Sequence, residues 1–292
     1  MKPLTVYTPD QLGSSEPPDL SFAAYRFLAE GDSWFTLSTL NPGRNGNLLF
    51  QMKFEQFACA VNCAEPGDTL THMAEMNSDP MFERLLRGRN TYIWDGMLLS
   101  CGGNDLIDAL RASGDGVPRA QRLLLPAAEW GPVADGPSRY LSPEGWQTFN
   151  TYLQANFAHL LGLRDAGPSA GCPVFIHAYA CPTPRNSGAG FGLGPWLLPS
   201  LLSHGIPSED WISLATLLIR ELGQLLAATA ADGVRFPNLH FFDTSAIAIE
   251  PAALGAQGVS GDWVNEIHLT RRGYEKLAVP WAAQIERTMR GG

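Results

Sequence analysis

Ala29-Glu30-Gly31-Asp32-Ser33-Trp34-Phe35 is the stretch that decides the fold. It continues an apolar run, Tyr25-Arg26-Phe27-Leu28, short enough for a buried strand. Glycine at 31 permits a sharp exit from that strand, and Ser33 sits just past the exit. In an α/β protein a side chain so placed projects from the carboxyl edge of a parallel sheet, where ligands bind.

The same grammar recurs along the chain. Phe57 to Cys63 is a second apolar run and leads into Pro66-Gly67-Asp68-Thr69. Tyr92 to Cys101 is a third and ends in Gly102-Gly103-Asn104-Asp105. Pro173 to Ala178 and Leu239 to Asp243 read as the fourth and fifth strands. Helix-compatible sequence lies between them; Trp146 to Leu163, for example, carries Phe149, Leu153, Phe157 and Leu160 or Leu161 on one stripe. Strands alternating with helices predict a parallel sheet covered on both faces. The fold expected is therefore α/β: a three-layer, doubly wound, five-stranded parallel sheet of flavodoxin-like architecture. Residues 1–20, rich in Pro and Ser, read as an extended N-terminal arm, and 21–292 as one domain without linker or internal repeat. Two long loops, at 112–145 and 179–207, leave strand carboxyl ends and are expected to hang over Ser33.

Composition narrows the partners. The net charge of −9 argues against a nucleic-acid or anionic-membrane surface, and 45% apolar residues suffice for a real core. No uninterrupted apolar run approaches a membrane span, so stable membrane insertion is not expected. Met1-Lys2-Pro3-Leu4-Thr5 lacks the apolar segment of a secretory signal, which points to a cytoplasmic protein. The five cysteines show no framework spacing; only Cys172 and Cys181, flanking one strand, are candidates for a pair. No Cys-x-x-Cys or His-Glu-x-x-His pattern calls for a metal.

A serine hydroxyl becomes a nucleophile when a neighbouring base takes its proton, and histidine titrates in the useful range. Of six histidines, His268 stands out, in a loop just before the last helix, where a side chain can reach back across the sheet edge. Gly31-Asp32-Ser33, Pro66-Gly67-Asp68-Thr69, Gly102-Gly103-Asn104-Asp105 and Asn265-Glu266-Ile267-His268 follow one another in order. Together they resemble the four blocks of the SGNH (GDSL-type) esterase and lipase superfamily. The resemblance spans nearly the whole domain. It implies a flavodoxin-like fold, no cofactor, and hydrolysis of a small-molecule ester (an acyl ester, lipid or acetylated sugar) through an acyl-serine.

The resemblance assigns Ser33 as nucleophile and His268 as base, with an oxyanion hole from the Ser33 and Gly67 backbone N–H groups and the Asn104 side chain. It departs from the family at 265, where Asn265 stands in place of the usual Asp three residues before the base, and at Leu269, where a Pro often follows. An asparagine can still accept the imidazole N–H and fix its tautomer. Asp262 and Glu266 are nearby carboxylates, and Asp262 ranks next to Asn265 by charge. Asp32 has the plainer task of holding its turn through hydrogen bonds. Trp34, His177 and, in the glycine-rich loop from Gly188 to Trp196, Phe191 and Trp196 are candidate substrate contacts; packing alone also accounts for them. An acyltransferase using the same groups, or a weakly active binding protein that kept the fold, are the alternatives; a nucleotide-binding domain lacks its phosphate loop.

Overall fold

The computed structural model describes every residue except 37–45, 76–79, 89–90, 113–115, 191 and 292. The chain opens with strands β1 (Lys2–Pro3) and β2 (Thr5–Tyr7) and a short helix α1 (Pro9–Leu12). Strand β3 (Tyr25–Gly31) follows, then helix α2 (Leu48–Gln51) and strands β4 (Lys53–Phe54) and β5 (Ala58–Asn62). Helices α3 (Leu70–Ala74) and α4 (Pro80–Arg87) lead to β6 (Gly96–Ser100) and α5 (Gly103–Leu110). The second half runs α6 (Pro143–Asp165), β7 (Val174–His177), α7 (Leu198–Ser203), α8 (Trp211–Ala231), β8 (Leu239–Phe242) and α9 (Arg271–Gly291).

Six strands form one parallel sheet in the order β2-β5-β3-β6-β7-β8. Without β2, that order is the flavodoxin-like 2-1-3-4-5, with its switch point between β3 and β6. The chain leaves β3 for β5 on one side and returns to β6 on the other. The loops after β3 and β6 therefore part there and leave a crevice, which is where Ser33 and Asn104 fall.

The parallel α/β architecture is as expected, with one strand more. Thr5-Val6-Tyr7 pairs alongside Cys59-Ala60-Val61 as an edge strand, and β1 pairs antiparallel with β4. The arm read into residues 1–20 is thus partly sheet. A three-residue, half-buried strand between Pro3 and Pro9 is too short to show a period. Interior strands were legible because both faces are covered: every residue of β6 is buried, as is Phe27 through Gly31 of β3.

Helix α6 packs with α3 and α4, α8 lies on β7 and β8, and α9 packs on α2 and β4. Helix α8 is long and apolar enough to cross a membrane by length and composition, yet Leu214, Leu218, Leu222 and Leu226 bury one face of it in this domain. Ser142 caps α6 by accepting from Gly145 N–H. The loop at 112–145 turns through short 3-10 segments and folds against α6 and α8, where Tyr140 hydroxyl donates to Asp210. All five cysteines are free thiols, so Cys172 and Cys181 do not pair.

Candidate active site

Gly31 ends β3 where a side chain has no room. A Cβ there would lie 2.7 Å from the Ser100 carbonyl oxygen. The turn that follows is held by Asp32. Its carboxylate accepts from Trp34 N–H at 2.9 Å, Ser100 hydroxyl at 2.7 Å and Tyr179 hydroxyl at 2.5 Å. Burial pushes the Asp32 carboxyl up to about 6, against those three donors, which favour its charged form. This is the turn-holding task expected of Asp32. Ser100 and Tyr179 share in it and escaped sequence reading, since Tyr179 lies 147 residues away.

The β5 turn rests against the same edge through Glu65 N–H to the Gly31 carbonyl, 3.0 Å. Gly67 is left-handed (φ +95°), and a Cβ added to it would meet open space. Its need for glycine is therefore conformational, and the space beside its backbone is available to a ligand. After β6, Gly102 takes a left-handed conformation as N-cap of α5. Asn104 donates from its side-chain amide to the Asp68 carbonyl at 2.9 Å, tying the second and third loops together. Asp105 instead accepts from Leu70 N–H and Tyr152 hydroxyl, so it braces α3 and α6.

The loop before α9 brings His268 to Ser33, with Nε2 2.6 Å from Ser33 Oγ. On the other side of the ring, Nδ1 lies 2.9 Å from Asn265 Oδ1. That same oxygen accepts from the backbone N–H groups of His268 (2.9 Å) and Ile267 (3.2 Å). Two backbone donors fix which end of the amide faces the ring, because an NH2 group could not accept from them. Nδ1 must therefore carry the proton, and Nε2 is left as an acceptor for the serine O–H. His268 is buried, and burial pushes its pKa down to about 3. The imidazole is neutral across the ordinary pH range.

The two carboxylates near His268 are used elsewhere. Asp262 pairs with Lys276 of α9 and accepts from Glu250 N–H at 2.7 Å. Burial pushes it up, but Lys276, the Glu250 amide and Arg272 together hold it below the usual carboxylate range. Glu266 points into the loop at 179–207, accepting from the backbone N–H groups of Arg185, Trp196, Leu197 and Leu198. It thereby satisfies the N-terminal amides of α7, where a negative charge is favoured. Arg185, a residue the sequence did not single out, completes this frame by donating to the Asn265 carbonyl at 2.7 Å.

Trp34 is buried beside Ser33, its indole N–H bonded to the Ile267 carbonyl at 3.1 Å. His177 stacks behind Trp34 with ring centroids 5.7 Å apart, and burial pushes its pKa down to about 4. It therefore packs beneath the site and does not face the crevice as a substrate contact. Trp196 sets its ring edgewise on His268 at 5.1 Å. Phe191 lies outside the described residues.

A pocket opens from Ser33, with Trp34, Asn104 and Ile267 at its mouth. One wall is the α5 face of Leu106, Ile107 and Leu110; the other is the α8 face of Ala215, Leu218 and Ile219. Tyr179, Ala180, Pro182 and Leu197 of the loop at 179–207 complete it. Among the described residues, none of 112–145 lines it, and the loop at 179–207 is the one that covers the site. The 112–145 loop is drawn off to α6 and α8 by its own buried Leu123, Leu124 and Tyr140.

No family model matches the chain, and no curated protein matches it. Solved structures do. A phospholipase A1 from Streptomyces albidoflavus NA297 is 14% identical, covering 90% of this chain and 99% of that one, with a TM-score of 0.47. A putative SGNH hydrolase from Slackia heliotrinireducens is 15% identical over 90% and 99%, with a TM-score of 0.46. A third solved chain, 12% identical over 91% and 99%, has a TM-score of 0.50. At such identities the likeness is one of fold.

Proposed function

We propose that this protein is a serine hydrolase that cleaves carboxylic esters through an acyl-serine intermediate. The observation that carries the reading is the unbroken relay from Asn265 Oδ1 through His268 to Ser33 Oγ, with both links under 3.0 Å. Ser33 Oγ attacks the acyl carbon while His268 Nε2 takes its proton. The imidazolium then protonates the leaving alcohol oxygen, and a water molecule repeats the sequence on the acyl-serine to release the acid. Asn265 holds the ring and its tautomer throughout.

The tetrahedral intermediate needs donors aimed at its oxygen. The Ser33 and Gly67 backbone N–H groups and the Asn104 amide occupy the three loops that meet at the switch point. One Asn104 N–H is spent on Asp68, and the amide has a second to give. Asn104→Ala is expected to lower kcat by about 10²–10³-fold with little change in KM, the usual cost of losing one such donor. Steady-state kinetics on 4-nitrophenyl butyrate measure it; an unchanged kcat in folded protein removes Asn104 from the hole.

The direct test of the reading is reaction with a fluorophosphonate. Ser33 Oγ displaces fluoride from phosphorus, so intact-mass and peptide analysis should find one adduct per chain, on Ser33. Folded protein that stays unlabelled has no activated serine and is a binding protein that kept the fold.

A further inference from the structure

We propose that the pocket between α5 and α8 is an acyl-chain subsite that takes an unbranched acyl group of medium length and stops it at Leu110. This rests on the esterase reading above and names the substrate class of that site.

The pocket lies along α5, which rises ~10 Å between Gly103 and Leu110. Its walls suit a polymethylene chain and lack partners for sugar hydroxyls: Leu106, Ile107, Leu110, Ala215, Leu218 and Ile219 offer only hydrocarbon. A single bond of about 1.5 Å advances a zigzag chain by roughly 1.3 Å, so ~10 Å holds about eight carbons.

Its position assigns the slot to the acyl side. It starts at Asn104, whose amide is the proposed holder of the acyl oxygen, and runs away along α5. His268 must reach the leaving alcohol, and His268 is not among the residues lining the slot. Ala215 in the α8 wall is small and fully buried, so a larger side chain there has the pocket to enter. Gly103 lines it as well, and a Cβ there would strike the Tyr179 ring at 2.8 Å, another lining residue.

The test compares 4-nitrophenyl esters of straight-chain acids from acetate to dodecanoate with acetate esters of straight-chain alcohols of rising length. For the acid series kcat/KM is expected to rise roughly fourfold per added methylene to about eight carbons and then fall. The alcohol series is expected to stay flat. Ala215→Phe, which plugs the pocket, should lower the octanoate-to-acetate ratio at least about tenfold; Ile219→Trp, at a half-buried wall position, does the same if Ala215→Phe does not fold. Calorimetry on Ser33→Ala separates the subsite from the chemistry: octanoate should bind at least about a hundredfold more tightly than acetate. Octanoate binding without any hydrolysis by the wild-type protein leaves the slot standing and overturns the esterase reading. Hydrolysis indifferent to acyl length, with octanoate binding no better than acetate, overturns the slot and leaves the esterase. Length dependence on the alcohol side alone overturns the acyl assignment.

Discussion

Ser33→Ala is expected to lower kcat/KM on 4-nitrophenyl butyrate by roughly 10⁶-fold, the scale on which a serine hydrolase fails when its nucleophile is removed. Almost all of that loss should appear in kcat. The pocket mouth keeps Trp34, Asn104 and Ile267, so substrate still has its place to bind. The fold should survive. What Ser33 Oγ gives to the native state is one hydrogen bond to His268 Nε2. Its removal leaves a buried acceptor unmatched, at about 1–3 kcal/mol, a fall of several degrees in melting temperature for a chain of this size. Activity and melting temperature measured together separate the chemistry from the scaffold. A variant that keeps activity within tenfold of wild type places the chemistry on some other group.

The features legible in the sequence were those that depend on neighbours along the chain. Strands β3, β5 and β6 showed as apolar runs because helices cover both their faces. Ser33, Gly67 and Asn104 each follow such a run at a glycine-marked exit, and the family resemblance assigned their roles. Strand β2 did not show: Thr5-Val6-Tyr7 is half-buried and earns its place only by pairing with Cys59-Ala60-Val61. The choice among Asn265, Asp262 and Glu266 was open for a related reason. Charge favoured Asp262, but its carboxylate is claimed by Lys276, fourteen residues on. Glu266 is claimed by amides about seventy residues back. Neither claim leaves a local pattern. The slot was hidden differently. Leu106, Ile107 and Leu110 recur at helical spacing, and a helix face that packs on its neighbour has the same periodicity as one that stands off it by the thickness of a hydrocarbon chain. His177, at the end of a strand in the right half of the sheet, had the position of a contact residue; the rings of Trp34, Phe35, Tyr179 and Trp281 enclose it.

Asn265→Asp is the substitution expected to raise activity, by tenfold or more at pH 8. The asparagine oxygen already collects three N–H donors: the His268 ring, its backbone and the Ile267 backbone. A carboxylate accepts from the same three without moving the chain. What it adds is charge beside the imidazolium formed in the transition state, about 4 kcal/mol for two charges ~4 Å apart at an effective dielectric of ~20. The cost of burying the carboxylate offsets part of this. The pH profile should shift with the rate. In the wild-type protein burial holds His268 down to about 3 with a neutral partner, so the acid limb of kcat/KM should lie well below 6. With Asp at 265 the charged ring is favoured, and the limb should rise by at least about one unit toward the ordinary histidine range. Stability should respond in the matching sense. In the wild-type chain the unfolded imidazole takes up its proton near 6.5 and the folded one only near 3, so stability is lost as pH falls through that window. The aspartate narrows the window from below and should reduce the loss. An unmoved acid limb together with an unchanged rate means that residue 265 does not face the ring that carries the proton.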